Sequence, residues 1–328
     1  MPVFKPFARN NGTCEHKFGR IDIFVAIQSK YAERSYGDAL STVRCYAQRA
    51  GYTLHVADIG DDAIVYWKRH CVLYEYMKFF NRTKYWLALD ADVVVLNPYR
   101  CIEEYIDDRV DITFYERLFS WEIMTGGFLV KNTDFARKFV LDFADTEFSS
   151  PQNSWNGADN GMIHLLLLKT LLPDAPQAIE NCEQLLDHST SYELYFRFVL
   201  CVRTMLGGRR VWPPYFRLLR KAHGWAMDTA FVQHKWCHAN FMSHGIKHDF
   251  VGQTNMTALF TRLPTGAECV QPVDWPWQPE FRVSCDVVRA SLHSLEPGLA
   301  KGYPAASQTH TWLLVERVAS CWPNCKAQ

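Results

Sequence analysis

The sequence lacks any run of about 20 uninterrupted apolar residues, the length that a helix needs to cross a bilayer. Its strongest apolar run, residues 163–172, is short and is broken by His164 and Lys169. The first residues, MPVFKPFARNNGT, have no apolar core of the kind that a signal peptide carries. We therefore expect no membrane span in this chain. We expect either a cytosolic protein or one whose anchor lies upstream of this chain.

Net charge is also lacking, because 35 Lys and Arg residues balance 35 Asp and Glu residues. Without a global basic field the chain is not expected to hold a nucleic-acid backbone, so nucleic acid is excluded as a partner. Three motifs are missing as well: Gly-x-Gly-x-x-Gly after the first strand, the Gly-x-x-x-x-Gly-Lys-Ser/Thr loop, and the Gly-x-Ser-x-Gly elbow. A nucleotide would therefore be held largely through a metal ion.

Hydrophobic residues make up 48% of the chain and charged residues 21%, so a sizeable core can form. Aromatic residues reach 14%, including 11 Trp. Trp and Tyr combine an apolar face with a polar edge, which suits contact with sugars, although an aromatic-rich core explains the excess equally well.

Cysteine is abundant, with 11 residues, and three glycosylation sequons occur, at Asn11, Asn81 and Asn255. Both features favour the lumen of the ER or Golgi, where disulfides persist, with the cytoplasm as the alternative. The spacing of Cys321 and Cys325 would allow a disulfide that closes a small loop.

Strand-like and helix-like segments alternate along the chain. The pattern predicts strands at 21–27, 54–59, 85–89, 111–115 and 126–132, and helices at 35–50, 66–80, 134–143 and 162–172, the last capped by Asp159 or Asn160. This order predicts a parallel α/β sheet covered on both faces. We divide the chain into a tail (1–20), a catalytic domain (21–262) and a Trp-, Pro- and Cys-rich extension (263–328) packed on that domain.

Asp90 and Asp92 follow the apolar strand at 85–89. Residues two apart in an extended chain point to the same side, so both carboxylates face one point. They repel each other unless a cation or protons neutralise them, and carboxylates suit Mn²⁺ or Mg²⁺. Ligands of parallel sheets bind beyond the carboxyl ends of the strands, which is where this pair lies. The pair predicts a metal site, with Asp92 as the more direct ligand.

Further site residues come from five other segments. His244 is the best third metal ligand, and Lys247 is placed to contact a phosphate. Asp159 and Asn160 are predicted to hold the transferred sugar or an oxocarbenium-like transition state, with Glu122 as a further catalytic candidate. Donor contacts are assigned to Ala26, Gln28, Arg69, Asp90, Gly126, Gly127 and Lys247. The two glycines would let a ligand approach the backbone closely, and Arg69 could fork onto a diphosphate or lie on a solvated helix face.

The segment YWLALDADVVVLNP, residues 85–98, resembles the Asp-X-Asp region of GT-A-type glycosyltransferases. Together with DITFYER (111–117), WEI (121–123), GFLVKNT (127–133) and GADNG (157–161), it resembles a nematode-abundant, uncharacterised family placed among the nucleotide-diphospho-sugar transferases. The order of motifs is more distantly similar to the retaining galactosyl- and mannosyltransferases of yeast Golgi type and to glycogenin-like enzymes.

The resemblance covers roughly residues 21–250 and implies a GT-A fold, that is, a Rossmann-like mixed sheet with helices on both faces. It also implies Mn²⁺ or Mg²⁺ and a nucleotide-sugar donor, with UDP-sugar favoured over GDP-sugar. It implies that a hexose or pentose passes to a glycan or protein acceptor, with retention following only from the distant relatives. By position, Asp90, Asp92 and His244 would bind the metal, Lys247 the diphosphate, and Asp159 the sugar. The chain departs from the pattern with Asn160 in place of Gln, and with Gly245 directly after His244.

Two other functions fit parts of the sequence. Leu89-Asp90-Ala91-Asp92-Val93 also matches the haloacid-dehalogenase type of phosphohydrolase, with Asp90 as nucleophile. That family needs a downstream Gly-Asp pair, whereas Gly60-Asp61 lies upstream. The chain could also be a non-catalytic carbohydrate-binding relative, although the presence of intact Asp90, Asp92 and His244 argues against it.

Overall fold

A computed structural model of the chain describes residues 14–28, 35–60, 65–118, 120–155, 158–246, 259–302 and 318–325. The first half contains β1 (Ile21–Ile27), α1 (Gly37–Ala50), β2 (Thr53–Asp58), α2 (Val65–Phe79), β3 (Tyr85–Leu89), β4 (Val94–Val95), β5 (Ile112–Tyr115), β6 (Gly127–Lys131) and α3 (Asp134–Asp145). The second half contains α4 (Asp159–Leu171), α5 (Pro176–Asp187), α6 (Tyr192–Leu206), β7 (Val211–Trp212), β8 (Phe216–Leu219), β9 (Ala226–Met227), β10 (Met242–Ser243), α7 (Cys285–Gly302) and α8 (Val318–Cys321). Short 3-10 turns lie at Ile102–Tyr105, Thr146–Ser149, Thr229–Val232 and Gly266–Cys269.

The main sheet has seven strands in the order β2-β1-β3-β6-β5-β8-β7. β1 runs parallel to β2 and β3, as predicted, whereas β6 runs antiparallel to both β3 and β5. A second sheet of three strands has the order β4-β10-β9. The fold is therefore a mixed α/β sheet with helices on both faces, which confirms the predicted fold class. The spacing of strands and helices alone predicted a parallel sheet, and β6 departs from that prediction.

Strand alternation divides the core into two layers on either side of the main sheet. Ile23 and Leu87 pack with α1 and the small sheet, whereas Phe24, Trp86 and Phe128 pack with α2 to α6. α1 ends where the sequence predicts, since Gly51 adopts φ 78° and its N–H bonds to the Ala47 carbonyl.

The C-terminal residues pack on the α1 side of the sheet. Trp275 and Trp277 belong to the core layer of α1, and a disulfide joins Cys45 of α1 to Cys269. Four more disulfides join Cys14 to Cys101, Cys182 to Cys201, Cys237 to Cys285, and Cys321 to Cys325, the last closing the loop that the spacing suggested. All eleven cysteines lie in described ranges, and Cys71 is the one left reduced. None of the described helices is both long and apolar enough to cross a membrane.

Candidate active site

Strand β3 delivers the acidic pair to the edge of the main sheet. The chain turns immediately after Leu89, where the Asp90 N–H donates to the Gly126 carbonyl at 2.6 Å and the Val93 N–H to the Asp90 carbonyl at 3.3 Å. Because β3 is fully buried, this turn fixes both carboxylates relative to the core. Asp92 is buried and Asp90 is partly exposed.

The small sheet brings His244 to this pair. β10 pairs antiparallel with β4, with Ser243 opposite Val94, so that the chain after β10 runs back alongside Asp92. The His244 Nε2 atom lies 3.4 Å from Asp90 Oδ2 and 3.4 Å from Asp92 Oδ1. One ligand atom from each of the three side chains lies within 4.8 Å of the others. The structure therefore brings the three predicted metal ligands together.

Asp228 orients His244 through the ring nitrogen that faces away from the acidic pair, and it lies in no motif that would single it out. It follows β9, which runs parallel to β10, and its Oδ1 lies 2.8 Å from His244 Nδ1. Burial raises the pKa of Asp228, but the hydrogen bond from His244 outweighs burial and brings this pKa to about 2. A carboxylate on one ring nitrogen fixes the ring and leaves the other nitrogen for a metal.

Arg69 on α2 links the acidic pair to Asp159. One guanidinium nitrogen donates to Asp90 and another to Asp159. Burial raises the pKa of both carboxyls, but the charge of Arg69 more than offsets this, so both stay ionised. His70 lies 3.4 Å from Asp159 Oδ2, and burial lowers its pKa to about 4.

Asp159 is not the cap of helix α4, which corrects the sequence-based expectation for Asp159 and Asn160. The cap position is Ala158, with no side-chain cap bond, because Asp159 points to Arg69 and His70. Asn160 accepts a hydrogen bond from Thr125 through its side-chain oxygen.

Glu122 is connected to the Asn160 segment of the cleft through the side chain of Tyr195. It is buried, and its carboxylate accepts a hydrogen bond from the Tyr195 hydroxyl at 2.8 Å. That hydroxyl also lies 3.4 Å from the Asn160 carbonyl oxygen. Glu122 is therefore placed to support the Asn160 loop from within the core rather than to touch a ligand.

Gly126 makes room for Asp90, which differs from the reason that the sequence suggested. A Cβ at this position would lie 1.8 Å from Asp90 Oδ2 and 2.4 Å from Met124 Cε. A Cβ at Gly127 would lie 3.1 Å from the ring nitrogen Nε1 of Trp225. The space beside the two glycines is thus filled by side chains of the protein itself.

An open cleft of about 170 Å³ lies in front of the metal-ligand cluster. It is lined by the predicted residues Ala26, Gln28, Arg69, Asp90, Asp92, Asp159 and Asn160, and by Tyr36, Tyr66 and Thr125, which the sequence did not single out. The tyrosines lack a sequence signal because Tyr36, just before α1, and Tyr66, in the first turn of α2, lie in segments without a motif. Glu122 and Gly127 do not line this cleft, and Lys247 lies outside the described residues.

The donor set fits a hard divalent cation. Two carboxylates and one imidazole match Mn²⁺ or Mg²⁺ chemistry, and three protein ligands leave coordination positions for a diphosphate. Burial lowers the pKa of His244, but the charge of Asp92 and the other carboxylates outweighs burial and brings it to about 10. A protonated His244 therefore offsets part of the charge of the acidic pair in the absence of a cation, and Arg69 offsets a further part at Asp90.

Three solved structures are similar to the chain over part of its length. The first, a glycosyltransferase involved in glycosylating the major capsid of PBCV-1, has 15% identity and a TM-score of 0.44, covering 69% of this chain and 93% of that one. A197 from STIV has 12% identity and a TM-score of 0.27, covering 43% and 73%. The catalytic domain of Drosophila beta1,4galactosyltransferase 7, in complex with xylobiose, has 13% identity and a TM-score of 0.25, covering 38% and 52%.

Sequence comparison gives a family without a described activity. None of the curated proteins matches the chain. The sequence model of one family matches residues 43–260, a span that includes Asp90, Asp159, Asp228 and His244. The chain therefore belongs to the family described as "Protein of unknown function, DUF273".

Proposed function

We propose that this protein is a metal-dependent glycosyltransferase of GT-A type that uses a nucleotide-diphosphate sugar as its donor. The observation that carries the proposal is the convergence of Asp90, Asp92 and His244 within 4.8 Å, beside an open cleft. A bound Mn²⁺ or Mg²⁺ supplies Lewis-acid stabilisation of the nucleoside diphosphate that leaves.

The cleft residues support a nucleotide-sugar donor. Tyr36 and Tyr66 offer aromatic surface to a base, while Arg69 offers a planar guanidinium with several N–H groups to phosphate oxygens. The described residues hold no Gly-rich phosphate loop, so the metal site and Arg69 would provide most of the grip on a diphosphate. We favour a UDP-sugar over a GDP-sugar, in line with the resemblance of residues 85–98.

The ionised state of Asp159 supports a role at the sugar. A carboxylate kept charged by Arg69 suits stabilisation of an oxocarbenium-like transition state, or attack at the anomeric carbon, better than it suits proton donation. Asn160 would orient sugar hydroxyls, held by Thr125 and by the support of Glu122 through Tyr195. In line with the distant resemblance we propose retention, with a hexose or pentose passing to a glycan or protein acceptor.

The five disulfides support a location in the secretory lumen, the ER or Golgi, because cytosolic thiols are kept reduced. We infer that the chain acts on acceptors that pass through that compartment. Lys247 stays a predicted phosphate contact.

The test is calorimetric titration with UDP, GDP and their sugars, in Mn²⁺, in Mg²⁺ and in chelator. Binding of one nucleotide should require metal, and Asp92→Asn should weaken it at least about 100-fold, since a direct ligand contributes more than an outer-shell partner. The matched control is Asp142→Asn, which removes an exposed carboxylate on α3.

Nucleotide binding that persists in chelator, or that is unchanged in Asp92→Asn, would contradict the metal-bridged donor. Release of phosphate from phosphate esters through a phosphorylated Asp90 would instead support the phosphohydrolase alternative.

A further inference from the structure

A second concave site lies apart from the donor cleft and shares no lining residue with it. This cavity of about 90 Å³ lies on the α1 side of the main sheet, between β8 and the C-terminal residues, and is partly open to solvent. Its charged and aromatic lining includes Arg100, Arg210, Arg217, Arg220, His223 and Trp322. We call it the arginine cavity.

Strand alternation explains why a charged side chain lines this part of the sheet. Phe216 and Leu218 of β8 pack into the core layer of the helices, so Arg217 and Leu219 point to the opposite face. Arg217 stands beside Thr113 of β5 in the parallel register. Arg220 and His223 follow as β8 ends.

The charges in the cavity do not balance. Arg100 pairs with Glu104 at 2.8 Å, and Arg210 pairs with the buried Glu116 at 3.2 Å. Within the described parts of the chain, Arg217 and Arg220 form no ion pair. Burial lowers the pKa of Arg217, which the more distant Asp107 only partly offsets. Two guanidinium groups are thus left for an anion from outside the chain.

Two buried atoms in the same wall also lack a partner. Arg220 Nε and His223 Nε2 have no hydrogen-bond partner among the described residues. The other ring nitrogen of His223 lies 2.8 Å from the Lys221 carbonyl oxygen, so that nitrogen carries the proton and Nε2 is an acceptor in the neutral ring. A ligand that completes the site would therefore bring an anionic group for the arginines and a hydroxyl for His223.

Apolar surface makes up the rest of the wall. Trp322 is held by a bond from its ring N–H to the Ala222 carbonyl at 3.1 Å, and Tyr105 and Leu219 lie nearby. Ring faces and aliphatic side chains suit the C–H faces of a sugar ring.

We propose that the arginine cavity binds an anionic sugar, that is, a saccharide bearing a carboxylate, sulfate or phosphate group. This inference deepens the proposed function, because such a sugar would belong to the acceptor and not to the donor. The anionic group lies against Arg217 and Arg220, and a sugar hydroxyl donates to His223 Nε2.

The test is titration of the whole protein with glucuronic acid, galactose 6-sulfate and galactose 6-phosphate, always in chelator so that the metal site stays empty. Two control ligands are titrated in the same way: methyl galactoside, which is a sugar without a charge, and inorganic sulfate, which is an anion without a sugar. At least one anionic sugar should bind at least about tenfold more tightly than either of these, because a charge-assisted hydrogen bond and a hydroxyl contact each add affinity. The arm that binds most tightly identifies the anionic group.

Arg217→Gln with Arg220→Gln should weaken that binding at least about tenfold. Arg197→Gln is the matched control, because it removes an exposed arginine that pairs with Glu193 on α6. If thermal unfolding shows that the double variant folds poorly, hydrogen exchange of the unaltered protein is the deciding measurement. The bound sugar should then slow amide hydrogen exchange in residues 217–225. Equal binding of neutral and anionic sugars, or no protection, would overturn the inference.

Because chelator abolishes the metal-bridged donor site, the two proposals fail separately. If no anionic sugar binds while metal-dependent nucleotide binding is intact, only the proposal for the arginine cavity is rejected. The opposite result rejects only the proposed donor chemistry.

Discussion

The donor cleft and the arginine cavity are charged hollows of opposite sign in one molecule with a net charge of zero. In the cleft, the carboxylates of Asp90, Asp92 and Asp159 converge, and Arg69 and His244 hold them in place. In the cavity, arginines converge, and Glu104 and Glu116 neutralise only Arg100 and Arg210.

The difference teaches that local charge, rather than total charge, marks a site. Like charges gather in a partly buried hollow only at a cost in free energy, unless a partner of opposite charge arrives. An acidic hollow therefore points to a cation and a basic one to an anion. The predictions below alter one hollow at a time, from the largest expected effect to the smallest.

Glu116→Gln should act on the cavity side and cost about 3–5 kcal/mol of unfolding free energy. The carboxylate is buried and accepts hydrogen bonds from both Arg203 and Arg210, so its loss removes a buried negative charge that two buried guanidinium groups share. Denaturant unfolding measures the change. Glu183→Gln, which removes one side of an exposed pair with Lys169, should cost less than about 1 kcal/mol. Equal effects of the two variants would show that burial of the pair is not decisive.

Gly126→Ala should act on the cleft and weaken metal-dependent nucleotide binding more than about 100-fold, beyond the range of an outer-shell partner. The new Cβ overlaps the Asp90 carboxylate, whose flexible end must move away from the cluster. The fold should survive because only side-chain ends are displaced. Calorimetry with Mn²⁺ measures the loss, and Gly208→Ala, where nothing lies within 4 Å, is the control. Unchanged binding would mean that Asp90 is not a ligand.

Asp228→Asn should weaken Mn²⁺ binding about 10- to 100-fold, the typical cost of losing a carboxylate behind a ligating histidine. The variant keeps the shape of the side chain but removes the charge that holds His244 in place. Direct titration with Mn²⁺ measures the loss of metal affinity. Binding of the anionic sugar in the arginine cavity should stay unchanged. If the variant binds Mn²⁺ as tightly as the unaltered protein, Asp228 does not support metal binding through His244.

Metal affinity should rise about tenfold for each pH unit between pH 6 and 8, because the cation displaces one proton from His244. The raised pKa of about 10 keeps this ring protonated in the metal-free protein over that range. The same shift stabilises the metal-free fold fully below the ordinary histidine pKa of about 6.5, and this stabilisation is lost as pH rises through about 10. Manganese titrations at several pH values measure the slope, which should flatten in His244→Gln. A flat profile in the unaltered protein would contradict the exchange of proton for metal.

Much of the cleft could be predicted from the sequence because its parts leave local signals. An apolar strand that ends in Asp90-Ala91-Asp92 is readable in one window, and His244 and Asp159 were singled out beside glycines. Asp228 and Tyr36 left no signal, since neither lies in a motif. The role of Gly126 was predicted as ligand access, whereas the structure shows that Asp90 occupies this space.

The arginine cavity could not be predicted in the same way. Arg100 lies far from Arg210 and Arg217 in the chain, and none of the three lies in a motif. All three line the cavity beside β8, which adjoins β5 and β7. A basic residue in a strand pattern looks solvent-facing until the residues that cover it are known.

The sequence by itself determined the alternation of strands and helices, the buried strand β3, and the acidic pair at its end. These depend on local hydrophobic periodicity and on residues next to each other in the chain. Only the tertiary structure decided the antiparallel insertion of β6, the Cys45–Cys269 disulfide, the Arg69 bridge to Asp159, and the contact of Asp228 with His244. Each of these joins segments that are distant in sequence, and packing and strand register, rather than local composition, bring them together.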